Sequence, residues 1–384
     1  MNKLKRGVSR LTKAGYRNVV KPALFAQSPD RVHANMIKVA KGVQRIPLVR
    51  DVPRIWAYRN DGYLAQEVMG LQFRNPIGLS AGLDKNADMV GVMQAVGFGF
   101  MIAGSVTSQP GIGNPKPWFY RLKNSRSLVI NAGLPNRGVE LIGKRISRYP
   151  DRIFKHFPLG ISAAKTNSER VVTNSEGIAD YCETLGAMDK LPQVALHEIN
   201  ISCPNTYGGE PFTTPEKLDA LLKAVDGLKL SKPVQVKMPI SLAWKVFKQL
   251  LDVIVQHKVQ AVNIGNLLKD RSKAKLQDKL PKDVKGNLSG LPTQAISTEL
   301  IRRTYAAYGK KLIIIGTGGV FSAEDAYEKI KAGATLVGMV SGVIFEGPQV
   351  VGEINRHLVE LLKNDGLTNI KDAIGLDSRR ESTI

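Results

Sequence analysis

Cys203 sits in the stretch His197-Glu-Ile-Asn-Ile-Ser-Cys-Pro-Asn-Thr206, just past a β-rich run and between Asn200 and Asn205. A thiol presented at a strand end can accept a proton, and flanking amide side chains can hydrogen-bond a planar, amide-rich ligand. The same residue types also suit a buried structural cysteine followed by a proline turn. Other residues narrow the choice. Gly316-Thr-Gly-Gly319 ends an apolar run and precedes Ser322-Ala-Glu-Asp325, which reads as a capping box, so its backbone N–H groups are free to cradle a phosphate. Gly338 to Gly342, at the next strand end, completes a cup around Ser341.

Two lysines bear on what such a cup would hold. Lys237 lies inside the apolar run Val234-Gln-Val-Lys-Met238, where an ammonium is costly unless it meets a negative charge, and Lys85 follows the loop Ala81-Gly-Leu-Asp84. Phosphate capture points to a phosphorylated substrate or to FMN. A reduced flavin carries negative charge at its pyrimidine edge, where a lysine would raise its electron affinity.

Strand-length apolar runs place these residues: Gly99–Ala103, Leu159–Ala163, Val194–Ile199, Val234–Met238, Ala261–Ile264, Leu312–Ile315 and Thr335–Val340. Amphipathic helices separate them, one opening at Thr214-Pro215 with a good N-cap and proline at N1. Strands alternating with helices over some 280 residues predict an α/β fold, a closed (β/α)8 TIM-type barrel in which the motifs fall at the C-terminal ends of strands. A short N-terminal helical extension precedes it. Ser28-Pro29-Asp30 starts one helix there, with Val32, Met36, Val39, Ala40 and Val43 along one face. The expected organisation is a basic helical membrane-associating extension over 1–63, a cofactor-binding barrel over 64–363, and a polar, mobile tail over 364–384.

Charge is concentrated at the front. The first 60 residues hold 14 Lys or Arg against Asp30 and Asp51, over half of the net +22 of the 384-residue chain. Leu4, Val8 and Leu11 recur at helical spacing between basic residues, the pattern of an amphipathic helix on an anionic lipid surface. Residues 1–29 contain no acid, which keeps an organelle-targeting role open, and a solvated basic tail is the plain alternative. No RNP, zinc-finger or helix-turn-helix signature accompanies the charge, so specific nucleic-acid binding is not expected. No apolar run approaches 18 residues, and two cysteines make no disulfide framework.

Asn200-x-x-Cys203-Pro-Asn-Thr206, Gly78-Leu-Ser-Ala-Gly-Leu-Asp-Lys85 and Gly316-x-Gly-Gly319, in that fold order, resemble the dihydroorotate dehydrogenases, flavin enzymes of pyrimidine synthesis. The similarity runs from about Lys21 to about Ile354, and the front resembles the membrane-associated, quinone-using branch. The resemblance implies FMN held by Ser80, Ala81, Gly82, Asp84, Ser105, Ser162, Asn200, Lys237, Gly265 and Gly290, with Gly318, Gly319, Val340 and Ser341 at its phosphate. It implies a substrate site of Lys85, Asn131, Gly133, Leu134, Asn200, Asn205 and Asn266, with Cys203 as base and Lys85 bridging flavin and substrate. The implied reaction removes a proton from C5 of dihydroorotate while hydride leaves C6 for the flavin, needs no metal, and passes electrons to a membrane quinone. A peripheral protein on the cytoplasmic face of the inner membrane is the implied location.

The chain departs from the family pattern at several points. Cys203 is the base of the soluble branches, whereas the membrane-associated branch carries serine. Ile130 stands where an asparagine is usual unless Asn131 substitutes by a one-residue shift. Ser162 replaces a flavin-contacting asparagine, Leu267 a substrate-binding threonine or serine, and Leu291 an arginine. Alternatives therefore stay open: the same FMN barrel acting on another small cyclic amide, a phosphate-binding aldolase or isomerase with Lys237 as Schiff-base amine, or a non-enzymatic surface scaffold.

Overall fold

Apolar runs of three to seven residues bounded by Gly or Pro are strand-length, and strands covered on both faces need no polar alternation. In the computed structural model, which describes residues 3–55, 57, 61–169, 171–203 and 209–381, they form β1 (Ile77–Leu79), β2 (Phe100–Val106), β3 (Leu159–Ala163), β4 (Leu196–Asn200), β5 (Val234–Met238), β6 (Ala261–Ile264), β7 (Ile313–Thr317) and β8 (Leu336–Met339). All pair in parallel. The order β6-β7-β8-β1-β2-β3-β4-β5 closes through β5 and β6, giving the expected barrel. Strands β3, β5 and β6 have the expected bounds, and four others differ by one to three residues at their ends. β1 escaped the sequence reading because it is three residues long with a glycine in its middle. That glycine is required by packing: a Cβ on Gly78 would lie 2.2 Å from the Phe100 ring.

The barrel interior changes character from bottom to top. The antiparallel strands Gln66–Val68 and Leu71–Phe73 plug its N-terminal end, where Val68, Phe73, Phe100, Ile102, Leu196 and Leu336 pack together. Above them lies a fully buried carboxylate, Glu198, whose Oε2 accepts from Gln235 Nε2 (2.8 Å) and Asn263 Nδ2 (2.6 Å). Asn263 Oδ1 accepts from Thr317 Oγ1 (2.9 Å), itself 3.1 Å from Ser80 Oγ. The polar layer thus ties the strand interiors to the groups at the carboxyl face.

The extension docks on that face. It comprises α1 (Lys3–Gly15), α2 (Lys21–Phe25), α3 (Pro29–Arg45) and α4 (Pro47–Arg50), with Ser28 capping α3 by accepting from Arg31 N. Phe25 packs edge-on against Phe345 at 5.4 Å and lies 4.1 Å below the Arg121 guanidinium. Lys13 pairs with Glu353, Tyr16 donates to Ile344 O, and Gln44 accepts from Val92 N. A three-stranded sheet of Phe119–Leu122, Ser127–Ile130 and Asn287–Leu288 flanks the same face.

Two local expectations need correction. Thr214 precedes the helix Pro215–Gly227, with proline at N1, but its side chain makes no capping bond. The stretch after Asn364 is no loose tail through residue 381. It forms helices Ile370–Ala373 and Leu376–Glu381, with Ile370 and Ala373 fully buried and Gly375 N donating to Ile330 O. Two apolar residues at i, i+3 behind the Asn369–Asp372 capping box suffice to anchor a segment whose average composition is polar.

Candidate active site

A single cavity of about 590 Å³ runs from the barrel mouth into the extension. All strand ends but that of β3 contribute: Ser80, Ala81 and Gly82 after β1, Ser105 on β2, Asn200 and Cys203 at and after β4, and Lys237 on β5. Gly265, Asn266 and Leu267 follow β6, Gly318 and Gly319 follow β7, and Val340 and Ser341 follow β8. Lys85, Gly133, Leu134 and Gly290 also reach the wall. These loops converge because every parallel strand presents its carboxyl end to the same face.

The turn after β7 has the conformation an anion requires. Gly318 and Gly319 have φ of +114° and +68°, and a Cβ on Gly319 would lie 2.3 Å from Gln294 Cβ, so no larger residue fits. Among the described residues, the backbone N–H groups of Gly318, Gly319, Ser341 and Gly342 have no acceptor. Four open donors thus lie at two adjacent strand ends, a geometry able to hold an anion. Lys237, only 6 % exposed, has no hydrogen-bond or carboxylate partner among the described residues. A nearly buried ammonium opening onto a cavity matches an anionic occupant.

At the thiol end the side chains are already oriented. Asn200 Oδ1 accepts from Ser202 N (3.2 Å) and Ser202 Oγ (3.1 Å), while its Nδ2 donates to Ser105 Oγ (2.8 Å). Asn266 Nδ2 donates to Ser202 O and Ser202 Oγ, both at 2.6 Å, and its Oδ1 accepts from Leu267 N. One Nδ2 proton of Asn200 and one Oδ1 lone pair of Asn266 remain for a ligand. Buried Ser202 therefore sets both amides, a role not visible in the sequence motif. Cys203 is half-buried beside them. Lys85 Nζ donates to Gly82 O (2.8 Å) and lies 5.6 Å from the centre of the Phe119 ring. Desolvation lowers its pKa to about 8, with the charges of Asp84 and Asp30 drawing it back up.

The other end of the cavity is apolar. Val32, Met36, Val39, Ala40 and Val43, the face of α3 expected from the sequence, line it together with Val92 and Met93. Tyr16, His33 and Arg121 supply its few polar groups. Burial, then the neighbouring Lys85 and Lys116, pushes the His33 pKa down to about 3, so its imidazole is neutral. Arg121 Nη1 donates to Phe25 O and Gln27 O, which fixes the guanidinium across the extension. These residues carry no motif; only the basic, proline-punctuated front hinted at them.

Three expected site residues do not reach the cavity. Asp84 is buried and its carboxylate accepts from Asn86 N, Asp88 N and Met89 N, which shapes the loop bearing Lys85. Ser162 is buried behind Ser105, their hydroxyls 3.0 Å apart. Asn131 Oδ1 accepts from Asn114 Nδ2, so the one-residue shift does not occur, and Ile130 faces the cavity in its place. Asn205 lies outside the described residues.

A closed parallel barrel with open N–H donors, a buried lysine and a half-buried thiol at its carboxyl face belongs to the class of cofactor-binding barrel enzymes. The dihydroorotate dehydrogenase family model matches residues 63–362, and the chain belongs to that flavin-dependent family. It is 32% identical over 365 residues to a dihydroorotate dehydrogenase (quinone) of Natronomonas pharaonis, covering 94% of this chain and 99% of that one. The corresponding enzyme of Anaeromyxobacter dehalogenans is 33% identical over 366 residues, covering 94% and 97%. The solved dihydroorotate dehydrogenase of Eimeria tenella in complex with ferulenol superposes with a TM-score of 0.78 at 26% identity, over 94% of this chain and 99% of that one.

Proposed function

We propose that this chain binds FMN in the cavity and oxidises dihydroorotate to orotate for UMP synthesis, with a membrane quinone as electron acceptor. The observation that carries this reading is the continuity of one cavity from the thiol, past the anion cup, to an apolar corridor through the extension. Substrate and quinone can then meet opposite ends of the same cofactor.

The residues present fit FMN. The open N–H groups of Gly318, Gly319, Ser341 and Gly342 would take its phosphate, Ser80, Ala81 and Gly82 would lie along its ring, and Lys237 would meet its anionic edge. Bound there, FMN would supply the hydride-accepting chemistry for oxidation at C6 of dihydroorotate, with a quinone as the final electron acceptor. Cys203 as thiolate takes the proton from C5, so the C5–H bond breaks as the S–H bond forms. Asn200 and Asn266 hold the substrate amides through their remaining donor and lone pair, and cationic Lys85 faces its carboxylate. Purified protein is expected to be yellow with one non-covalent FMN per chain; a colourless protein that takes up no FMN on reconstitution contradicts the reading.

The Lys85 pKa gives a pH signature. Below about 8 the free-enzyme ammonium is charged and attracts the substrate carboxylate; above it the charge is lost. KM for dihydroorotate should hold steady below that pH and rise by up to about tenfold per unit above it. Lys85→Met should raise KM and flatten this slope. A KM independent of pH between 7 and 9.5 in the wild type would remove Lys85 from substrate binding.

The front of the chain supports a peripheral location at an anionic membrane surface, which we assign to the inner membrane. No helix among the described residues is long and apolar enough to cross a membrane. Ile46 and Leu48 at the end of α3 and start of α4 are 53% and 87% exposed, and Val49, Val52 and Ile55 continue the apolar surface amid Arg and Lys side chains. Ile46→Asp with Leu48→Asp should weaken binding to anionic vesicles by roughly tenfold or more, since each removed side chain would have buried about 1.5–3 kcal/mol of apolar surface. Turnover with a water-soluble dye should stay unchanged. Equal vesicle binding by the double variant would place the lipid contact elsewhere.

A second reading keeps the flavin barrel but assigns another small cyclic amide as substrate. It is favoured by Ile130 and Leu267, both apolar and both on the cavity wall.

A further inference from the structure

Lys329 is 0 % exposed in the helix Ala323–Ala332, outside the cavity, and ranks with the phenylalanines among the largest wholly buried side chains. Its Nζ donates to Ser297 Oγ (2.7 Å), Thr298 Oγ1 (2.9 Å) and Gln294 O (3.4 Å), all on the helix Gln294–Tyr308. Three donors meet three neutral acceptors, and no carboxylate pairs with the ammonium among the described residues. A buried cation without a counter-ion is costly, so something else must favour its presence. The turn that carries the open N–H groups of Gly318 and Gly319 adjoins it. A Cβ on Gly316 would touch Lys329 Cδ at 3.4 Å, and a Cβ on Gly318 would touch Ser297 Oγ, the first acceptor of Lys329, at 3.2 Å. One hydroxyl therefore separates the ammonium from the loop whose N–H groups stand open.

We infer that Lys329 is a positioning residue for the cofactor phosphate, supplying from behind the Gly316–Gly319 turn the positive charge that the cup itself lacks. This rests on the FMN reading above. The cup offers N–H dipoles but no cationic side chain of its own among Gly318, Gly319, Val340, Ser341 and Gly342. A phosphate dianion seated there is stabilised by a charge held at short range in a medium of low dielectric. Burial pulls the Lys329 pKa down to about 7, with Glu328 and Asp325 drawing it back up, and an arriving dianion favours the charged form.

The test uses the phosphate as a switch. The full chain is freed of flavin, and dissociation constants are measured for FMN and for riboflavin, which lacks only the phosphate. Lys329→Met replaces the charge by an apolar chain of similar length; Lys329→Gln removes the charge but keeps an N–H donor, on a side chain one atom shorter. Both are expected to weaken FMN by about ten- to thirtyfold and riboflavin by less than about twofold, with Lys329→Arg intermediate. Parallel weakening of both ligands, or unchanged FMN affinity in Lys329→Gln, would show a purely structural lysine and overturn the assignment. A wild-type chain that prefers FMN to riboflavin keeps the cofactor reading intact in that event. A wild-type chain that takes up neither ligand overturns both.

Discussion

Cys203→Ala is expected to slow reduction of the bound flavin by dihydroorotate by about 10²–10⁴-fold, the usual worth of a positioned general base, while flavin content stays at one per chain. The separation follows from geometry. Cys203 meets the cavity beside Asn200 and Asn266, whereas the open N–H groups and Lys237 that would hold the cofactor belong to β5, β7 and β8. Loss of the thiol removes a proton acceptor and leaves the Ser202 network that orients both amides in place. Cys203→Ser should keep partial activity with its optimum moved to higher pH, because a hydroxyl gives up its proton far less readily than a thiol. Stopped-flow reduction followed at the flavin band checks both variants. Unchanged reduction in Cys203→Ala would assign the base to another group.

The second large effect is expected at the opposite end. Ala40 lies on the face of α3 that lines the apolar corridor, between Met36 and Val43 and across from Val92 and Met93. Ala40→Trp directs an indole into open space, so it should obstruct the corridor. Turnover with a membrane quinone should fall by an order of magnitude or more, since access and not chemistry then limits the rate. Reduction of the flavin by dihydroorotate should remain within about twofold, because the thiol end of the cavity is untouched. A variant that loses both half-reactions together would indicate that α3 supports the barrel and does not frame a quinone path. Deleting residues 1–60 is a poorer probe: Phe25 packs on Phe345, Asp30 accepts from Trp118 N and Gln44 accepts from Val92 N, so removal strips an integral wall.

The barrel and most of its mouth were legible because strand-length apolar runs and glycine turns carry their structural cause in residue type. Gly318 and Gly319 announce a backbone that no other residue adopts there, and Lys237 stands out because an ammonium inside an apolar strand demands an anion. What stayed hidden depended on tertiary neighbours. Ser202 gains its role only when Asn200 and Asn266 arrive from β4 and from the loop after β6, and Lys329 only when two helices close over it. Asp84, Ser162 and Asn131 were assigned to the site from their place in familiar motifs, yet their side chains turn to loop amides, a second serine and a neighbouring asparagine. A motif fixes the chain position of a residue; the side-chain direction is set by competing partners. The C-terminal segment misled for a related reason, since two buried apolar residues decide docking and overall polarity does not.

Ile130 and Leu267 make part of the cavity wall apolar, so backbone and asparagine groups must supply the polar contacts there. Ile130 also packs with Phe25, Leu128, Phe321 and Phe345, so its apolar character serves the corridor wall as well as the pocket.

An anaerobic titration of the purified, flavin-loaded protein with dihydroorotate, followed by a short-chain quinone, bears most directly on the proposed reaction. Stoichiometric dihydroorotate should bleach the visible flavin band and yield orotate, and quinone should then restore the band in full. A flavin band that survives excess dihydroorotate would contradict the assigned substrate, and one that bleaches but does not return with quinone would contradict the assigned acceptor.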